Sequence, residues 1–128
     1  LSHVQLDDGW QAGLSKNSAS RAGQRWEAWT AEDWLPHPQR FPSGLNPLVE
    51  RARAAGVNLG LWFNPSQANE YAAWERDADI ILDLWRRYDI RQVKIDGVEV
   101  GSVAARRNRR CAFTALSRRT LMTLATST

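Results

Sequence analysis

Three short runs rich in strand-favouring residues, each ending in polar residues, constrain this chain most. The first is His3-Val4-Gln5-Leu6, ending at Asp7-Asp8-Gly9. The second is Val57 to Phe63, ending at Asn64-Pro65, and the third is Gln92 to Ile95, ending at Asp96-Gly97. Their residues suit a pleated, half-buried surface. Helical patterns fill the intervals. Asn46 is expected to cap a helix with Pro47 at its first position, running through Leu48, Val49, Ala52 and Ala55 to a left-handed stop at Gly56. A second helix is predicted over Tyr71 to Tyr88, with Ala78, Ile81, Leu82 and Trp85 on one stripe, and a third from Asn108 to Leu124, with Phe113, Leu116, Thr120, Leu121 and Leu124 inward. Strands alternating with helices of this length mean right-handed βαβ units and a parallel sheet. An open doubly wound sheet and part of a closed (β/α)8 barrel both satisfy that order, but three strands cannot close a barrel.

In either architecture ligands bind at the C-terminal edge of the strands. Asp7 and Asp8, Asn64 and Asp96 all fall there. Asp-Gly is also a common turn dipeptide, so each alone is ambiguous. Lys94 stands two residues before Asp96, which sends both side chains to one face. A lysine inside a parallel strand is costly unless paired. Its ammonium is expected to hold Asp96 ionised, the state a nucleophilic carboxylate needs. The alternative is a buried Lys–Asp pair that serves only the fold, although such pairs stabilise poorly.

Seven tryptophans stand in 128 residues. An indole offers a flat apolar face to a sugar ring and one N–H donor, and it suits cores equally. Trp10, Trp26, Trp29 and Trp34 lie in the long interval from Gly9 to Gly44, which has no convincing strand. Loops of that length are usually functional or disordered, and the aromatic content argues against disorder. A loop shaping a substrate over the rim is expected, with packing of the loop on itself as the alternative.

The remaining composition mostly excludes. The single cysteine, Cys111, cannot form an internal disulfide, which favours a cytoplasmic or otherwise disulfide-independent protein. No apolar run is long enough to cross a membrane. Leu1-Ser2-His3-Val4 lacks an initiator Met and signal-peptide features, so Leu1 is not expected to be the natural start, and an upstream signal is left open. The net charge is +3, with Arg106, Arg107, Arg109, Arg110, Arg118 and Arg119 clustered late. No aromatic residue interleaves with the first four to form a stacking platform, so a solvated helix face is expected and no nucleic acid. No metal or other cofactor is expected.

The segments Gln5-Leu6-Asp7-Asp8-Gly9-Trp10-Gln11, Arg40-Phe41-Pro42-Ser43-Gly44-Leu45, Gly60-Leu61-Trp62-Phe63-Asn64-Pro65 and Lys94-Ile95-Asp96-Gly97 stand in an order and spacing that resemble the α-galactosidase clan of glycoside hydrolases. Within it, the chain is most similar to family 36, the melibiase-type bacterial enzymes. The resemblance covers about residues 3 to 97. It implies an α/β fold, part of a (β/α)8 TIM barrel from strand two through the helix after strand four, and so a single incomplete catalytic domain over 1–128. It implies Asp96 as nucleophile of a retaining double displacement on terminal α-linked galactose, with Lys94 on the sugar hydroxyls. Asp7 and Asp8 would take the distal hydroxyls, Trp10 and Trp62 would shape the pocket, and Asn64 stands where many relatives carry Glu. The acid/base residue of such enzymes lies near strand six, beyond this chain; Glu99 has no counterpart in the family pattern. An α-galactoside oligosaccharide is the implied partner, and a homo-oligomeric parent is left open. The alternatives are a non-catalytic carbohydrate-binding module on the same fold, and the sister activities of α-N-acetylgalactosaminidase and raffinose-type galactosyl transferase.

Overall fold

A computed structural model describes residues 2–15, 30–98, 101–108, 110–112 and 114. Three strands form one parallel sheet in the order β1 (His3–Leu6), β2 (Asn58–Phe63), β3 (Gln92–Ile95). The chain is thus a mixed α/β structure, compatible with part of a TIM barrel. The three expected strands are present with nearly their expected bounds. β2 is the central strand, buried at every position after Asn58. This explains its near-continuous apolar run, because a central parallel strand is covered on both faces. β1 and β3 flank it and are partly exposed.

The helix α1 (Asn46–Ala54) connects the first two strands. Asn46 is its first helical residue rather than its cap: Leu45 occupies the cap position, and no side chain caps the end. Leu45 is fully buried, and its carbonyl accepts the N–H groups of Leu48 and Val49, both at 3.0 Å. Core packing of Leu45 therefore sets the start of the helix, overriding Asn46's capping preference. Gly56 (φ +68°) ends the helix in the left-handed conformation expected of it.

Between β2 and β3 the single predicted helix is two pieces. A short turn, α2 (Ala68–Tyr71), precedes α3 (Trp74–Tyr88). Asn69, Glu70 and Tyr71 have φ of 49°, 58° and 65°. A right-handed helix cannot run through such residues, so the long helix starts at Trp74. Ala78 and Leu82 of the predicted stripe are buried, but so are Ile80 and Leu84, which join the main core. Asp89 (φ 53°) closes α3, its N–H donating to the Trp85 carbonyl at 2.8 Å. The last helix begins earlier than predicted, with helical residues at 103–108 and 110–112; its expected inner face from Phe113 to Leu124 lies outside the described residues.

The core gathers Leu59, Leu61, Trp62 and Phe63 of β2 with Trp10, Trp34, Leu45, Ile80, Leu84 and Ile90. Trp34 sits on a 3-10 turn (Glu32–Trp34) and stacks on Phe63, ring centroids 4.1 Å apart. Trp10 and Trp34 thus pin the described part of the Gly9–Gly44 interval to the core, while Ala12, Leu14 and Leu35 stay exposed. A bridge between Gln11 and Pro36 and the bond from His37 N–H to the Trp10 carbonyl (2.8 Å) tie its two ends together. Trp26 and Trp29 lie outside the described residues. No helix among the described residues is long and apolar enough to cross a membrane.

Candidate active site

The register places the polar residues. Leu6 pairs with Leu61, and Leu61 with Val93. One step further, Asp7, Trp62 and Lys94 form a row across the C-terminal edge. Lys94 donates to Asp7 Oδ2 at 2.8 Å. This corrects the sequence-based pairing: the lysine's direct partner is Asp7, two strands away, and not Asp96. The pair is also open to water, the Lys94 and Asp7 side chains being 47% and 62% exposed, so the expected cost of a buried lysine does not arise. From β3, at one side of the described sheet, Lys94 reaches across β2 to the end of β1. The Lys94 ammonium, through its hydrogen bond, lowers the Asp7 carboxyl below its ordinary range, with the Asp8 N–H second. Asp7 in turn raises Lys94.

Asp96 follows β3, also exposed. The Trp62 indole N–H donates to its Oδ2 at 3.2 Å, and the Gly97 N–H to its Oδ1 at 2.8 Å. The indole bond is the main cause of a lowered Asp96 pKa, the Gly97 bond the next, and the Lys94 charge a smaller one, opposed by the charge of Asp7. The expectation of an ionised Asp96 agrees with this direction, though the leading cause is an indole rather than an ammonium. Hydrogen bonds to the charged form favour it whether or not the donor carries charge.

Asp8 is held more firmly than its neighbour. Gln11 Nε2 donates to its Oδ1 at 2.8 Å, the Ser15 hydroxyl donates to its Oδ2, and Gln11 Oε1 accepts the Gly9 N–H at 3.0 Å. Trp10 is buried beneath this turn, with its indole N–H on the Trp62 carbonyl at 2.8 Å. Trp62 is 3% exposed. Both rings therefore lie under the rim, and neither shows an open stacking face. Asn64, 2% exposed, donates from Nδ2 to the main-chain carbonyl of Asp96 at 3.0 Å. Its amide braces the end of β3 rather than pointing into open space.

Sequence reasoning missed a second set of residues. Gln67 Nε2 and the Tyr71 hydroxyl (3.3 Å) both donate to the Gly97 carbonyl. Gly97 has φ +65°, and a Cβ there would run into Asn64 Nδ2. Only glycine fits that position, so the Asp96-Gly97 pair is more than a turn signal. Gln11 was visible as an amide three residues from Asp8. Nothing in the sequence marked Gln67 or Tyr71. Among the described residues no cluster of three or more potential metal ligands occurs.

About half of the chain is similar to α-galactosidases. It is 35% identical over 71 residues to the probable alpha-galactosidase G of Emericella nidulans, covering 50% of this chain and 9% of that protein. It is 31% identical over 80 residues to alpha-galactosidase C of the same organism, covering 56% and 10%, and 28% identical over 64 residues to an Escherichia coli alpha-galactosidase, covering 50% and 8%. The match spans about a tenth of the length of these relatives. No family model matches the chain. Over about half its length, then, the chain is related to α-galactosidases, whose names mark them as glycosidases.

Proposed function

We propose that this chain forms strands two to four of the catalytic (β/α)8 barrel of a retaining α-galactosidase, with Asp96 as the nucleophile. The observation that carries the reading is the solvent-open, ionised carboxylate of Asp96 beside the Asp7–Lys94 pair, at the C-terminal edge of a parallel sheet. Parallel α/β folds collect their chemistry at that edge.

The chemistry follows from the donors. Asp96 attacks the anomeric carbon, the glycosidic bond breaks, and a glycosyl-enzyme ester forms. A second carboxylic acid protonates the leaving oxygen and then takes a proton from the attacking water. In retaining enzymes the two carboxyl groups stand about 5–5.5 Å apart. We assign the second group to the remainder of the barrel. Asp7 and Lys94 offer an acceptor and a donor to adjacent sugar hydroxyls. Asp8, clamped by Gln11 and Ser15, holds a fixed acceptor beside them. Trp10, Trp62 and Asn64 support these groups from below, and Trp62 keeps the nucleophile charged.

The test uses the full-length protein carrying this chain and an aryl α-galactoside. Asp96→Asn is expected to lower kcat by at least a thousandfold, because the amide cannot form the ester. Turnover at the wild-type rate in that variant removes Asp96 from the role. A wild-type protein that binds galactosides without hydrolysing them would instead make this a carbohydrate-binding fold.

A further inference from the structure

Asp77 is a carboxylate in the first turn of α3, 4% exposed, in contrast to the solvent-open Asp7 and Asp96. Its Oδ2 accepts the main-chain N–H of Ser66 at 2.9 Å, and Ser66 is itself fully buried. Ser66 lies in the stretch from Asn64 to Gln67 that follows β2. Both ends of that stretch reach the nucleophile's turn: Asn64 donates to the Asp96 carbonyl at 3.0 Å, and Gln67 donates to the Gly97 carbonyl. A carboxylate on a helix therefore holds the middle of a four-residue span whose two ends hold the Asp96-Gly97 backbone. Burying a carboxylate is costly; this one supplies the acceptor for the buried Ser66 N–H and lines a small cavity of about 50 Å³ with Phe63, Tyr71, Trp74 and Ile81.

We propose that Asp77 is a positioning residue for Asp96, acting through the Ser66 N–H and the Asn64–Gln67 span to fix the backbone of the nucleophile's turn. The inference rests on the reading of Asp96 as the nucleophile. Removing the acceptor frees Ser66, the span relaxes, and the Asp96 carboxylate loses its set distance from the anomeric carbon. Sugar binding through Asp7, Asp8 and Lys94 does not pass through this span and stays as it was.

The experiment measures kcat and KM of the full-length protein on an aryl α-galactoside, with melting curves for each variant. Asp77→Leu removes the acceptor and fills the adjoining cavity, so it is expected to fold. It should lower kcat at least tenfold with KM changed less than twofold, in keeping with the roughly 100-fold cost of a 1 Å misplacement. Asp77→Asn keeps an acceptor oxygen and should restore most of the turnover. Gln67→Ala, at the far end of the span, should show the same kcat signature, and its effect should not add to that of Asp77→Leu. Wild-type kcat in a folded Asp77→Leu protein, or full additivity of the two, overturns the proposal. Amide hydrogen exchange decides the link without activity: in Asp77→Leu the Ser66 amide and the Asp96 amide, which donates to the Phe63 carbonyl at 2.9 Å, should lose protection together, and loss at Ser66 alone overturns it. Wild-type turnover of Asp96→Asn in the same assay would instead identify the nucleophile reading as what failed, with the exchange result still judging Asp77.

Discussion

Trp62 does two jobs with one peptide unit and one ring: its carbonyl accepts the Trp10 indole, and its own indole N–H donates to Asp96. The second bond is the largest reason that the Asp96 pKa lies below its ordinary value. Trp62→Phe deletes the donor and keeps a ring, so the Asp96 pKa should rise. The acid limb of kcat/KM for the full-length protein should then move to higher pH; an unmoved limb would show that the indole does not set the ionisation. At this scale the sequence made the strand-end carboxylates readable, because Asp7, Asp8 and Asp96 each end an apolar run. The partner of Lys94 was not readable. Which carboxylate faces it depends on the register of three strands, and sequence spacing favoured the neighbour at i+2 over one 87 positions away. Asp77 was hidden for a different reason. It shares α3 with Asp79 and Asp83, and a helix carrying several charges does not show which of them points inward.

Within α3, burial pushes Asp77 up to about 6, against a smaller opposing effect of the Ser66 N–H and the Arg76 charge. A carboxyl whose folded pKa is raised contributes stability below its unfolded pKa, near 4, and that contribution is lost as pH rises through the folded value near 6. Asp77→Asn removes the titration. Its melting temperature should gain on the wild type as pH rises from about 4 to 7, by the equivalent of on the order of 1–3 kcal/mol. Equal differences at pH 4 and 7 would mean that Asp77 is not the group responsible. The elements were legible wherever apolar period and stop signals agreed, as in β2 and at the Gly56 end of α1. They were misread where tertiary contacts prevailed. Leu45 took the cap position because it is a core residue. The chain turns left-handed through Asn69, Glu70 and Tyr71, where Tyr71 turns its hydroxyl to the Gly97 carbonyl, and no Gly or Pro marks the break.

The described sheet has β1 and β3 at its two sides, each with one edge not paired within it. Val4 on β1 is 43% exposed. Unpaired strand edges with apolar side chains invite association with other chains. The 128-residue polypeptide expressed by itself should therefore show no sharp melting transition and should associate, read by calorimetry and light scattering. A monomer that melts cooperatively would contradict this. The bridge between Lys94 and Asp7 bears on the shape of the sheet as well as its charge. Neighbouring strands stand about 4.8 Å apart, so the outer two are separated by roughly twice that. A side-chain bond across that gap passes over the middle strand, and it closes most easily where the sheet bends toward it. The ion pair thus fastens the two outer strand ends to each other across Trp62, a tie that the hydrogen-bonded pairing of neighbouring strands does not supply.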